Sequence, residues 1–180
     1  MIRKNIPFSS AEYDRRLTKT RSAMAAKGID TLFVTDPSNM AWLTGYDGWS
    51  FYVHQGVIVF AESDPVWWGR RQDANGAIRT VWMENERVHG YADNYVQSTE
   101  RHPMQDLAQH LRSYGAKGRI GVEMDNYYFS AKAFETLVNE MPDITFVDAT
   151  ALVNWQRGVK SQEELAFMRK AAAISEKIID

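Results

Sequence analysis

Cysteine is absent from the 180 residues of this chain. The absence excludes disulfides, thiol nucleophiles and thiolate metal ligands from the chain, and it fits the reducing cytoplasm in which we expect the protein. A strong excess of charge is also lacking, because 21 basic residues oppose 23 acidic ones and the net charge is −2. A nucleic-acid surface needs a basic face, so the composition argues against a nucleic-acid partner.

Long hydrophobic runs are lacking as well. No stretch approaches the ~20 consecutive apolar residues that a membrane helix needs, so we expect no membrane partner. Residues 1–7 contain no apolar core long enough for a signal peptide. Together these absences indicate a cytoplasmic protein.

Helical and strand patterns alternate along the chain. A helical pattern that Gly28 ends is followed by the β-branched run 29–35, and the apolar runs 56–61 and 65–69 flank a short turn. The second pair predicts an antiparallel hairpin. Further strands are predicted at residues 88–91, 119–124 and 144–147, with amphipathic helices between them. The sequence therefore predicts one α/β domain, a mixed β-sheet flanked by helices on both faces.

Side chains that can cap helices mark where several helices begin. Ser9 with Glu12, and Ser161 with Glu164, have the spacing of a capping box, in which each side chain bonds the other residue's backbone N–H. Further caps are predicted at Asp36, at Ser130, and at Asp148 or Thr150. These signals predict the positions of the helices more sharply than the apolar pattern alone does.

The segment 36–55 is the main candidate for a functional site. Its second half carries Trp49, Phe51 and Tyr52, followed by His54. Aromatic faces attract organic cations, by roughly 0.5–2 kcal/mol each when the pair is desolvated. Residue type alone leaves a second interpretation open, in which these rings fill the sheet or a subunit interface. For His54 alone, a hydrogen-bonded structural histidine is the favoured interpretation.

Catalytic machinery is hard to assemble from this chain. The four histidines show no i, i+4 pair of the kind that binds a metal on a helix. Glu123 and Asp125 follow a predicted strand and could form a metal pair, but a role in a turn or cap is favoured. No glycine-rich phosphate loop and no nucleophile with a base are recognisable.

Four segments of the chain resemble the N-terminal domain of the creatinase/prolidase family, the pita-bread hydrolases. These segments are residues 38–46, 119–123, 146–148 and 155–161. They occur in the same order as in the family, and the resemblance covers nearly the whole chain. The resemblance implies a ribonuclease-H-like mixed sheet and a C-terminal catalytic domain that would follow it. It also implies a homodimer in which the N-terminal domain caps the active site of the partner subunit.

The same resemblance sets expectations for domains and metals. Residues 1–158 would form the N-terminal domain, and residues 159–180 the linker and first helix of the catalytic domain, because the last helical pattern has no stop signal. Two divalent metals, where the family uses them, would lie in that catalytic domain. We therefore expect no catalytic residue, metal or cofactor in this chain, and no activity from it alone.

Within the family, several segments look like the ectoine-hydrolysing branch, which opens a zwitterionic cyclic amidine at a C–N bond. They are residues 36–55, 72–76, 95–103 and 122–130. This likeness implies a small-molecule substrate whose amidinium would face the aromatic rings. Its carboxylate would need donors. The predicted substrate-binding residues are Trp49, Phe51, Tyr52, His54, Arg70 and Arg71.

Three alternatives stay open at the level of sequence. Creatinase is similar, and Phe51 matches its substrate-contacting phenylalanine, but Val53 stands where creatinase has a carboxylate-binding arginine. An Xaa-Pro dipeptidase or aminopeptidase has an N-terminal domain of the same build. The third alternative is a purely structural dimerisation module whose aromatic rings pack in an interface.

Overall fold

The computed structural model describes residues 5–179. The prediction about a signal peptide in residues 1–7 lies partly outside the described residues, as does the last residue of the predicted segment 159–180. The described helices are α1 Ser10–Ala26, α2 Pro37–Thr44, α3 Arg71–Thr80, α4 Pro103–Ser113, α5 Ala131–Glu140, α6 Leu152–Gly158 and α7 Gln162–Ile179. The described strands are β1 Thr31–Val34, β2 Gly56–Phe60, β3 Val66–Arg70, β4 Val88–Tyr91, β5 Arg119–Val122 and β6 Thr145–Asp148.

The strands form one mixed sheet in the order β4-β3-β2-β1-β5-β6. Strand β2 pairs antiparallel with both β1 and β3, and the other neighbours are parallel. Alternate residues of β1 serve opposite faces, as strand geometry requires: Leu32 and Val34 join one apolar cluster and Phe33 the other. Helices α1, α2, α3 and α6 contribute to the first cluster, and α4 and α5 to the second. The predicted mixed α/β sheet with helices on both faces is confirmed.

The strand directions bring most of the long connections to one edge of the sheet. The parallel strands β1 and β5 end there, and β2 begins there because it runs antiparallel to β1. Strands β3 and β4 also end at this edge, since Arg70 pairs with Tyr91. Residues 35–55, 92–102 and 123–130 therefore meet at one edge, the place where α/β sheets usually bind ligands.

Most of the predicted caps are present. The Ser9, Asp36, Ser130 and Ser161 side chains each accept a hydrogen bond from a backbone N–H three residues later, at 2.9–3.2 Å. The prediction of a cap at Asp148 or Thr150 is wrong. Helix α6 begins after Ala151, which has a φ of 60° and provides no side-chain cap. Asp148 instead accepts a hydrogen bond from the Thr150 backbone at 2.8 Å.

The two predicted capping boxes differ in outcome. The box at Ser161 is complete, because Glu164 Oε2 accepts from the Ser161 N–H at 2.7 Å. At the first helix, the Glu12 carboxylate turns away from Ser9 toward two arginines, and the Ser9 N–H donates to Glu163 at 3.0 Å. Residues 154 positions apart thus share the start of α1.

Arg16 lies at the centre of a buried ionic network that joins α1, α2 and α7. Only 1% of Arg16 is exposed, and its guanidinium contacts Glu12 at 2.7 Å and Glu164 at 3.1 Å. It also donates to the Trp42 carbonyl at 2.9 Å, and the Trp42 indole donates to Glu164 at 2.6 Å. The first turn of α7 is therefore fixed to the domain, whereas residues 166–179 are exposed. The predicted division at residue 158 stays a prediction.

The network should make stability depend on acid pH. Burial raises the pKa of Glu12, but hydrogen bonds from Arg15 and Arg16 outweigh it and lower that pKa from 4.5 to about 2. The unfolded chain then binds the proton first, so this contribution is complete above about pH 4.5 and is lost as the pH falls toward 2. We expect the stability difference between wild type and Glu12→Gln to shrink over this range in urea denaturation. Glu62→Gln, in the exposed turn after β2, is the control and should show no such trend.

Candidate functional site

Glu123 anchors the start of the segment that carries the aromatic rings. The residue is 2% exposed, and its carboxylate accepts from the backbone N–H groups of Thr35 and Asp36 at 2.6 and 2.8 Å and from the Asn39 amide at 2.7 Å. Burial raises the pKa of Glu123 above its usual value, and these donors oppose the rise without cancelling it. All three partners are donors, so a proton on this carboxyl would face no acceptor among them. Glu123 therefore has the contacts of the favoured turn or cap role, and Asp125, which is exposed, is not among its hydrogen-bond partners.

Gly45 turns the chain from α2 toward the aromatic rings. It has a φ of 82°, in the left-handed region that favours glycine. A Cβ at this position would lie 2.7 Å from the Tyr13 hydroxyl and 2.9 Å from the Thr80 carbonyl oxygen. Conformation and space both require glycine here, so the direction in which residues 46–55 leave α2 is set by the packing of α1 and α3.

Trp49, Phe51 and Tyr52 do not fill the sheet, because 60%, 70% and 50% of their surfaces are exposed. Their rings are continuous, with centroids 6.1 Å apart for Trp49 and Phe51 and 5.3 Å apart for Phe51 and Tyr52. This exposure excludes the interpretation in which the rings fill the sheet within this chain. The interpretation in which they pack in an interface with another subunit remains open.

Two tyrosines that the sequence analysis did not single out extend the row of rings. Tyr128 packs edge-on against Trp49 at 6.1 Å between centroids, and Tyr127 lies 5.4 Å from Tyr128 and is 85% exposed. We call these five residues, Trp49, Phe51, Tyr52, Tyr127 and Tyr128, the aromatic surface. The signal that could have found the tyrosines is their place just after β5, whose end lies beside that of β1.

Two cavities open beside the aromatic surface, and both are lined by Tyr52, Val53 and His54. The first, the aromatic cavity, has a volume of about 220 Å³ and is completed by Ser50, Phe51, Tyr127, Tyr128 and Ser130. The second, the Arg101 cavity, has a volume of about 160 Å³ and is completed by Tyr91 and by residues of the loop 95–103. His54 therefore stands between the two cavities rather than apart from the rings.

His54 is held in place from several sides. The buried Tyr91 hydroxyl donates to its carbonyl oxygen at 2.8 Å, and its ring lies 5.0 Å from the His102 ring. Burial lowers the pKa of His54, against a hydrogen bond with the Tyr128 backbone that favours the charged form. Burial, with His54 and Lys132 nearby, also lowers the pKa of His102, to about 4. Both rings are therefore neutral near pH 7.

The two predicted arginines have different surroundings. Arg70 lies beside the aromatic surface, where it donates to the Tyr52 hydroxyl at 3.2 Å and to Asp93 at 2.8 Å. Arg71 begins α3, is exposed and packs beside Gly90, and within residues 5–179 no hydrogen bond or ion pair joins it to the aromatic surface. The structure thus brings five of the six predicted residues together and leaves Arg71 aside. Their roles toward a substrate stay predictions.

Metal sites and membrane spans can be considered for the described part of the chain. Residues 5–179 hold no group of three or more His, Asp or Glu side chains placed to bind a metal ion. In the same range no helix has both the length and the apolar character needed to cross a bilayer. The expectation of metals concerns a domain outside this chain and stays an expectation.

Comparison with known proteins identifies a matching domain family and similar sequences. The profile of the creatinase/prolidase N-terminal domain matches residues 16–159. Ectoine hydrolase of Halomonas elongata is 54% identical over 177 residues, which cover 97% of the chain and 44% of that protein. An uncharacterised hydrolase/peptidase of Sinorhizobium fredii is 43% identical over 96% of the chain and 44% of its own length. The chain therefore spans less than half the length of these two curated relatives.

Among solved structures, the Xaa-Pro dipeptidase of Bacillus anthracis superposes with a TM-score of 0.72. The match covers 92% of the chain and 41% of the dipeptidase, with 16% sequence identity. At this identity the likeness concerns the fold alone. It agrees with the mixed sheet and flanking helices described above.

Proposed function

Because the chain belongs to the creatinase/prolidase family of hydrolases, as an N-terminal domain, we propose that it caps the active site of a partner subunit and helps to bind a small zwitterionic substrate there. The substrate we propose is ectoine, hydrolysed at a C–N bond by a longer protein that contains this chain. The similarity to ectoine hydrolase supports this choice. The observation that carries the binding role is the exposed aromatic surface at the ligand-binding edge of the sheet.

Physical chemistry favours an amidinium for this surface. A contiguous row of exposed rings is costly in water unless a ligand or partner covers it. The rings border a cavity of about 220 Å³, in which an organic cation can lie against their faces and lose its water. The neutral His54 between the cavities can donate or accept a hydrogen bond without adding charge.

Catalysis in this proposal belongs to the rest of the protein. The chain contributes binding and enclosure, while the bond-breaking groups, and two divalent metal ions if the enzyme is of the metallopeptidase type, would lie in a C-terminal catalytic domain. The chain alone is then inactive. A cytoplasmic location, expected from the sequence, is part of the same proposal and is testable by cell fractionation.

A surface around α7 supports contact with such a domain. Large apolar side chains are exposed on this helix and just before it, namely Trp155, Val159, Phe167, Met168, Ile174 and Ile178. A cavity of about 500 Å³, lined in part by Arg16, Arg157 and Glu164, opens at the first turn of the same helix. Because the Arg16 network fixes that turn, the helix would hold a neighbouring domain at a defined angle.

Two of the alternatives receive less support. Val53 lines both cavities but its side chain carries no hydrogen-bond donor, so this position cannot supply the creatinase-like carboxylate contact. An Xaa-Pro peptidase shares the fold, but that likeness does not extend to the substrate. The dimerisation module is favoured by the same exposed rings and is the serious rival.

Leucine substitutions at Trp49 and Phe51 in the longer protein separate substrate binding from dimerisation. Each should lower kcat/KM for ectoine by roughly 5–30-fold, mainly through KM, because a desolvated cation–π contact is worth about 1–2 kcal/mol. The dimer, measured by light scattering, should persist. Val138→Ala, an exposed apolar residue on α5, is the control and should change neither quantity.

Two results would contradict the proposal. Dissociation of the dimer at concentrations where the wild type stays dimeric would assign the rings to an interface. Turnover of an Xaa-Pro dipeptide with none of ectoine would leave the fold and family in place and overturn the proposed substrate.

A further inference from the structure

The Arg101 cavity differs in chemistry from the aromatic cavity beside it. Its lining contains one permanently charged side chain, Arg101, and no Asp or Glu. The two histidines that line it, His54 and His102, are neutral near pH 7, as described above. The cavity therefore offers hydrogen-bond donors and a positive charge with no competing carboxylate in its wall.

Arg101 keeps its donors free, which distinguishes it from Arg70. Within residues 5–179 no hydrogen bond or ion pair engages the Arg101 guanidinium, and the residue is exposed. Arg70 lies nearby on β3, but its Nε donates to Asp93 at 2.8 Å. A ligand carboxylate would have to displace Asp93 from Arg70, whereas Arg101 offers a bidentate fork at no such cost.

His102 adds a hydrogen-bond donor, because the contacts of its imidazole ring define which nitrogen carries the proton. Its Nδ1 accepts from the Met104 backbone N–H at 3.3 Å, at the start of α4. A neutral imidazole that accepts at Nδ1 carries its proton on Nε2. For this Nε2–H the part of the chain described by the structure provides no acceptor. The ring can therefore donate one hydrogen bond to a ligand in the cavity.

The loop that carries Arg101 is held locally by a serine side chain. The Ser98 hydroxyl accepts from the N–H groups of Glu100 and Arg101 at 3.2 and 3.1 Å. Gln97, which also lines the cavity, has a φ of 51°, in the left-handed region that is unfavourable for residues other than glycine. Strained backbone of this kind is commonly retained at binding sites.

We propose that the Arg101 cavity binds the carboxylate of the zwitterionic substrate, with Arg101 as its ion-pair partner and His102 as a second donor. The cationic end then lies against the rings of the aromatic cavity. One small ligand can reach both, because Tyr52, Val53 and His54 line the two cavities together. This inference rests on the proposed function and names the residue that replaces the arginine missing at Val53.

The test compares two ligands that differ only in the carboxylate. Ectoine carries it, and 2-methyl-1,4,5,6-tetrahydropyrimidine is the same cyclic amidine without it. In the longer protein, Arg101→Gln should raise KM for ectoine by about 10–100-fold and leave Ki of the amidine, as a competitor, within twofold of wild type. Arg101→Lys should recover part of the loss. Phe51→Leu should weaken both ligands, and Arg79→Gln, an exposed arginine on α3, should affect neither.

Other outcomes distinguish a failure of the carboxylate assignment from a failure of the proposed function. Unchanged KM for ectoine in Arg101→Gln, or an equal loss for both ligands, would overturn the carboxylate assignment and leave the proposed function intact. A wild-type protein that neither turns over ectoine nor binds the amidine would overturn the proposed function and this inference together.

Discussion

Replacement of Arg16 with leucine is expected to destabilise the folded protein by about 3–5 kcal/mol, the usual cost of breaking a buried ion pair from one side. The substitution would leave the carboxylates of Glu12 and Glu164 buried with their central partner missing. Glu164 would keep its hydrogen bond from the Trp42 indole, which cannot neutralise its charge. The decrease in the free energy of unfolding should therefore be large, although leucine itself is a suitable side chain for a buried site.

Urea denaturation followed by far-ultraviolet circular dichroism gives the measurement for Arg16→Leu. Arg15→Leu is the matched control, because Arg15 pairs with Glu12 at 2.7 Å but its side chain is 35% exposed. Because Arg15 is partly solvated and Arg16 would still neutralise Glu12, the control should lose clearly less stability than Arg16→Leu, about 1 kcal/mol. Equal decreases in the free energy of unfolding for the two substitutions would contradict the prediction, because they would show that the burial of Arg16 does not increase its contribution to stability.

Glu123→Gln is expected to cost about 2–3 kcal/mol, because it removes the charge that the buried donors face and leaves at least one of them unpaired. The new amide N–H₂ would point at the donors of Thr35, Asp36 or Asn39, whichever way it is turned. The effect should be local as well as global, since these donors begin α2.

Amide hydrogen exchange measures the local effect predicted for Glu123→Gln. Protection of the Thr35 and Asp36 amides should fall in Glu123→Gln by more than that of amides in β3, which lies on the other side of β2. Asp125→Asn, two positions along and exposed, is the control and should change stability by less than about 0.5 kcal/mol. Full stability in Glu123→Gln would mean that the carboxyl is held in its protonated form.

The two networks matter for the site because they fix both ends of the structure that presents it. Glu123 holds the beginning of α2, from which the aromatic segment leaves through Gly45. The Arg16 network holds the same helix near its end, through the carbonyl of Trp42, and ties it to α7. A binding surface made of exposed rings depends on such anchors, because its own side chains contribute little to the core.

Local sequence determined much of the fold. Residues that cap, stop or pattern a helix act within about four positions, so Ser9, Gly28, Asp36 and Ser161 could be interpreted without any tertiary information. The alternation of helices and strands then favoured a mixed α/β sheet, and the row of aromatic residues marked the candidate site. The one wrong cap, at Asp148 or Thr150, arose because Asp148 bonds its own neighbour and Ala151 turns the chain instead.

Tertiary structure alone decided which distant residues meet. Tyr127, Tyr128 and Arg101 join the candidate site only because the pairing of β1 with β5 and of β3 with β4 brings their following loops to one edge. Long-range contacts also gave Ser9 a partner in Glu163 and Arg16 a second carboxylate partner in Glu164. Sequence spacing describes neighbours along the chain, whereas the partner of a charged group is chosen by which opposite charge is buried beside it.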